Sequence, residues 1–168
     1  MMAQAMTGDN DTAWASFKAI SPAHRSQHPT QGPLYELEPY VLAGDVYGAA
    51  PYKGRGGWSW YTGSAAWLHR AALETLLGLS VRQGEMSLSP KVPSHWPSFE
   101  IDLKLGGQHP CDVTVRWQRG GAVDTNFNDG VKPDRTLAPG EVVRLADLPV
   151  GAKLMILSPA NSNETLLN

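Results

Sequence analysis

Apolar residues recur along the chain with two different periods, and the change falls near its middle. In the first half the spacing is helical. Trp14, Phe17 and Ile20 share one face of a segment over residues 12–20, capped by Asn10 or Asp11 and halted by Ser21-Pro22. Residues 1–6 read as the end of another helix, stopped at Thr7-Gly8. Ala66, Trp67, Arg70, Leu73, Leu76 and Leu77 predict a third over residues 63–77, with Gly78 as its stop. From about Gly84 the period falls to two: Met86 and Leu88, then Phe99, Ile101, Leu103 and Leu105, then Cys111, Val113, Val115 and Trp117. Turn signals at Gly106-Gly107, Gly120-Gly121, Asp129-Gly130, Pro139-Gly140 and Gly151 separate these runs at the spacing of an antiparallel all-β sandwich. The expectation is helix over residues 1–78, mainly antiparallel strand over 85–158, and a loose tail over 161–168.

Residues 22–61 hold few regular elements and are punctuated by five prolines. An ordered loop of that length is usually functional. All five tyrosines lie there, and eight of the 14 aromatic residues fall between Tyr35 and Trp67, more than packing alone explains.

The 168 residues, 42% hydrophobic and 18% charged, suffice for a packed core. A net charge of −2 argues against a protein that grips nucleic acid through phosphates. The one cysteine, Cys111, excludes an intrachain disulfide framework and reads as a small buried hydrophobe on a strand. Its use fits a reducing compartment, and no apolar run approaches a membrane span or a signal peptide, so a cytoplasmic location without direct membrane insertion is expected.

Candidate chemistry is concentrated around the aromatic loop. Gly54-Arg55-Gly56-Gly57 lacks the Lys-Ser/Thr of a nucleotide-binding loop, leaving a tight backbone path beside bulky rings or a sugar or anion pocket. Tyr61-Thr62-Gly63-Ser64 opens a helix, where free N–H groups and the helix dipole favour an anion, or where Thr62 or Ser64 serves only as a cap. His24 and His28 have the spacing of a metal pair, but prolines bracket them and no other ligands converge, so no metal is expected. Asp9-Asn10-Asp11 lacks the glycine and glutamate of a calcium loop and reads as a cap. Glu36, Glu38 and Asp45 are the acids near the aromatic belt, and both sugar-binding and simply solvated roles stand open for them.

Three passages carry a family resemblance: Glu38-Pro39-Tyr40-Val41, Gly44-Asp45-Val46-Tyr47 and the run from Gly54 to Ala65, GRGGWSWYTGSA. With Leu77-Gly78-Leu79 and the segment from Leu88 to Pro97, they resemble the C-terminal part of glycoside hydrolase family 94. These are the cellobiose-phosphorylase-like enzymes once grouped as glycosyltransferase family 36, and the likeness is strongest toward the phosphorylase-like region of cyclic β-1,2-glucan synthases. It covers residues 1–105.

The resemblance implies a mixed α and β fold: residues 1–80 as the C-terminal portion of an (α/α)6 barrel with an active-site loop, and residues 81–160 as a small antiparallel β-sheet or sandwich domain. It implies phosphorolysis of a β-glucoside with inversion, with inorganic phosphate as co-substrate and no cofactor. Thr62 and Gly63 become phosphate ligands, and Glu38, Asp45, Arg55, Trp58, Trp60 and Tyr61 line the sugar pocket. The family's catalytic aspartate and a phosphate-binding histidine have no match here, so the general acid is expected upstream and the chain alone is expected to be inactive. Where the resembling cellobiose phosphorylases place a sugar-binding glutamine after the Glu-Pro-Tyr motif, this chain has Gly44-Asp45, which favours the β-1,2-glucan branch. Expected partners are a β-glucan or glucose 1-phosphate, and the missing N-terminal catalytic portion or a second copy; for a full-length glucan synthase, the resemblance implies the cytoplasmic side of an inner-membrane protein. The alternative is a non-catalytic carbohydrate-binding or scaffolding module.

Overall fold

The computed structural model describes residues 1–60, 62–106, 111–120, 127 and 130–158, with the side chain of Thr62 left aside. The expected tail at 161–168 and Tyr61 lie outside the described residues. The chain divides into two compact units between Leu76 and Leu77.

The first unit is built from short helices. α1 (Met2–Met6) ends at Thr7, and Gly8 takes the left-handed conformation, φ +89°, that turns the chain into α2 (Asn10–Ile20). The cap of α2 is Asp9, whose carboxylate accepts from the Thr12 N–H at 3.3 Å, one position ahead of the expected Asn10 or Asp11. Trp14 and Phe17 stack at 5.3 Å and pack against a small core of Ala5, Ala13 and Leu76. Ile20, expected on the same face, is instead exposed because it stands at the last turn, where the chain leaves through Ser21-Pro22. Ser21 caps α3 (Pro22–Ser26), and α4 (Gly32–Tyr35) follows. α3 ends before His28, whose Nδ1 accepts from the Thr30 and Gln31 N–H groups.

A short hairpin, β1 (Asp45–Val46) against β2 (Gly56–Gly57), interrupts the helical pattern within residues 1–78. α5 (Thr62–Arg70) then runs into a π-helical stretch, Ala71–Leu76. Among the described residues no helix is long and apolar enough to cross a membrane.

Among its described residues the second unit is mainly β, with one 3-10 turn at Leu145–Asp147, and it starts earlier than the period change at Gly84 indicates. β3 (Leu79–Arg82) and β4 (Glu85–Leu88) form a hairpin whose two-residue turn, Gln83-Gly84, has φ +51° and +79°. Both central residues are left-handed, as the strand twist prefers in a tight hairpin, but glutamine is not a strong signal for it. β8 (Val143–Arg144) completes this three-stranded antiparallel sheet.

The larger sheet has the order β5 (Ser98–Leu105), β6 (Cys111–Arg119), β9 (Ala152–Ser158), β7 (Arg135–Leu137). β5 and β6 are antiparallel, with Phe99 opposite Trp117 and Ile101 opposite Val115. β9 is parallel to both β6 and β7, which corrects the antiparallel expectation for this part. The chain reaches the other sheet at β8 between β7 and β9, so it re-enters in the direction in which it left. Residues from both sheets share one core, including Met86, Leu88 and Val143 from one and Val115, Trp117, Leu154 and Ile156 from the other. Cys111 is the half-buried first residue of β6.

Candidate functional site

The aromatic loop of the first unit is organised by the β1–β2 hairpin. The Gly44 N–H donates to the Trp58 carbonyl at 2.7 Å, and the Tyr47 N–H to the Arg55 carbonyl at 2.9 Å, extending the two-residue ladder at both ends. The glycines are required by what lies against them. A Cβ on Gly56 would run into Leu37 and come within 3.1 Å of the buried Tyr35 ring, and one on Gly57 would meet the Asp45 carboxylate and, at 3.2 Å, the Tyr47 hydroxyl. Of the two readings left open for GRGG, the close backbone path beside bulky rings is therefore present. The same path holds the Asp45 carboxylate against β2.

Beyond the ladder the backbone is strained where the rings stand. Trp58 and Trp60 have φ of +45° and +67°, a region that costs a bulky residue about 1–3 kcal/mol and clusters at functional sites. Their rings are not buried in return: Trp58 is 74% exposed and Trp60 62%. Tyr40, also exposed, meets Trp60 edge-on at 6.0 Å. Exposed, conformationally held aromatic faces suit the C–H faces of a sugar.

Asp45 and Trp58 meet Ser64, in the first turn of α5, around a cavity of about 370 Å³ also lined by Ala43 and Gly44. Thr62 opens α5, and among the described residues beyond its chain neighbours and the helix's own backbone nothing lies within 4 Å of the position a Cβ on Gly63 would take. Ser64, which the sequence offers only as a possible cap, joins the site through its place in the same first turn. Gly44 joins through the hairpin register, which periodicity does not encode.

The remaining candidates lie elsewhere. Arg55 pairs with Glu36 at 3.0 Å and sits over the Tyr52 ring, while Glu38 is half-buried in the turn that leads to Val41. Neither lines the cavity with Asp45. Behind the hairpin, Tyr35 is 2% exposed, and burial pushes its phenol above the ordinary value, against the lowering effects of Arg25 and of a backbone hydrogen bond from Ala43.

Residues 1–78 match the family model of the glycosyl hydrolase 94 superfamily, catalytic domain, and this part of the chain belongs to that superfamily. The chain is similar to the cyclic beta-(1,2)-glucan synthase NdvB of Rhizobium meliloti (strain 1021), with 39% identity over 121 residues, 72% of this chain and 4% of that protein. It is also similar to the N,N'-diacetylchitobiose phosphorylase of Vibrio proteolyticus, 28% identical over 110 residues, 63% of this chain and 13% of the relative. With the solabiose phosphorylase of Paenibacillus borealis it shares 27% identity over 100 residues, 57% of this chain and 12% of the relative. The aligned part thus spans at most 13% of the length of these relatives.

Proposed function

We propose that the first unit forms one wall of a site where inorganic phosphate meets a β-glucoside, as in an inverting glycoside phosphorylase or the phosphorylase-like region of a glucan synthase. The observation that carries this reading is the cavity shared by Asp45, Trp58 and the first turn of α5. The first N–H groups of a helix lack intrahelical partners, so the start of α5, at Thr62 and Gly63, suits an anion through them and through the positive end of the dipole, and threonine is a residue type that can add a hydroxyl donor. Trp58 and Trp60 offer faces for the sugar ring, and Asp45 accepts hydrogen bonds from its hydroxyls. In the reaction a phosphate oxygen attacks the anomeric carbon as the glycosidic C–O bond breaks on the opposite side. A carboxylic acid protonates the departing oxygen. Phosphate is already a nucleophile, so the second carboxyl that an inverting hydrolase uses as base is not needed. We assign that acid, and the further walls of the pocket, to catalytic-domain sequence outside these residues or on a second chain. The exposed Trp67 on α5 is a surface for such a contact.

A second reading, a carbohydrate-binding module without chemistry, is favoured by the exposure of Trp58, Trp60 and Asp45. Titration of the purified chain with sophorose, with and without phosphate, separates the two. Neighbouring phosphate and glucoside sites on one wall predict coupled affinities, with sophorose binding lost in Trp58→Ala and phosphate binding lost in Thr62→Val. Sophorose binding indifferent to phosphate and to Thr62 supports the module, and absence of any sophorose binding removes both.

A further inference from the structure

The cavity at Asp45 is the first of three that share walls. A second, about 230 Å³, shares Ala43, Gly44 and Asp45 with it and adds Arg25 and Tyr35. A third, about 370 Å³, shares Arg25 and Tyr35 with the second and is closed by Gln31, Leu34, Tyr47, Gly48, Lys53 and Gly54. The character of the lining changes along this line. Among the described residues, Asp45 is the only acid lining the first two cavities, whereas the third has two cations, Arg25 and Lys53, and no carboxylate.

Among the described residues no carboxylate neutralises either cation. The Arg25 Nε donates to the Ala19 carbonyl at 2.6 Å, and the guanidinium stands 5.8 Å from the centre of the Tyr35 ring. Those contacts fix its direction without cancelling its charge. Among the described residues neither Arg25 nor Lys53 pairs with a carboxylate, although Arg55, nearby in sequence, does so with Glu36. Beside the two charges, Gln31 and the two tyrosines, Tyr35 and Tyr47, line the cavity.

We propose that this third cavity binds the phosphate group of a phosphorylated hexose, at a site separate from the α5 helix start. A phosphomonoester carries a charge of about −1.5 to −2 at neutral pH, which two unpaired cations match. Arginine grips it by a planar fork and lysine as a point charge. The sugar would then lie along the wall that Tyr35 and Tyr47 form, with Gln31 the polar residue there to address its hydroxyls. This inference does not depend on the reading of Thr62 and Gly63.

The test is a titration of the ¹⁵N-labelled chain with glucose 6-phosphate, with glucose and inorganic phosphate as separate controls. Glucose 6-phosphate should shift the amides of Gly48, Lys53 and Gly54 and bind at least about tenfold more tightly than glucose or phosphate alone. Lys53 is exposed, so Lys53→Gln leaves the fold unchanged and should cost about tenfold in that affinity, the scale of one charge-assisted hydrogen bond. Thr62→Val should leave it unaltered. Equal affinity for glucose and glucose 6-phosphate overturns the proposal, as does an unaffected Lys53→Gln. Phosphate alone binding as well as the ester removes the hexose from it. Shifts confined to residues 62–64, abolished by Thr62→Val, would assign the anion to the α5 start instead and support that reading rather than this one.

Discussion

Gly56 and Gly57 are adjacent, both buried, and neither lies at positive φ, so an alanine at either position suffers only from what its methyl group meets. The two substitutions should nevertheless separate stability from binding. At Gly56 the methyl group enters the space of Leu37 and the Tyr35 ring, 3.1 Å away, and Tyr35 is 2% exposed with nowhere to move. Overpacking of this kind costs about 1–3 kcal/mol. Alanine returns about 0.4–1 kcal/mol by stiffening the unfolded chain, so a net loss of roughly 0.5–2 kcal/mol is expected. At Gly57 the obstacle is the carboxylate of Asp45, an exposed side chain that can swing away at a rotamer cost of about 0.5–1.5 kcal/mol, which the same unfolded-state gain offsets. Gly57→Ala should therefore melt close to the parent while displacing the one acid of the cavity and weakening sophorose binding. Urea unfolding followed by tryptophan fluorescence gives the first quantity, and sophorose titration the second. A destabilised Gly57→Ala beside an unaffected Gly56→Ala would refute the steric argument. Full sophorose affinity in Gly57→Ala would remove Asp45 from the site.

Thr62→Val should weaken phosphate binding by about tenfold or more with the fold intact, and an unchanged phosphate titration would leave Thr62 as a cap only. Gly78→Ala should destabilise the second unit, because Gly78 has φ +69° and a Cβ there would collide with the Ser89 carbonyl; a parent-like urea midpoint would contradict this. The chain alone should give no turnover of glucose 1-phosphate with sophorose, since the acid that protonates the departing oxygen is assigned outside these residues; turnover that vanishes in Asp45→Asn would make Asp45 the proton donor. The raised phenol of Tyr35 favours the neutral form in the fold, so its contribution is intact below pH 10.0 and lost as pH climbs through the higher folded value. Tyr35→Phe should flatten that alkaline loss in a pH series of melts, and an identical slope would show that Tyr35 does not titrate with unfolding.

Much of this protein is legible in its sequence because the relevant forces are local. The helical spacing of Trp14 and Phe17, the left-handed stop at Gly8 and the alternation of Val113, Val115 and Trp117 each follow from backbone geometry over a few residues. The words GRGGWSWYTGSA and EPYV likewise pointed to the superfamily that residues 1–78 match. What remained hidden depends on partners distant in the chain. Alternation states that a strand has an inner face but not which way its neighbour runs, so the parallel pairing of β9 was missed, although its unbroken apolar run Leu154–Leu157 is the mark of a strand covered on both faces. The register Asp45–Gly57 decides which ring, acid and helix start share one cavity, and it sends Arg55 to Glu36 and away from Asp45. Arg25 and Lys53, 28 positions apart, become one cationic pocket only because the chain folds back around Tyr35. Period and propensity are properties of neighbours in sequence, whereas a binding site is a property of neighbours in space.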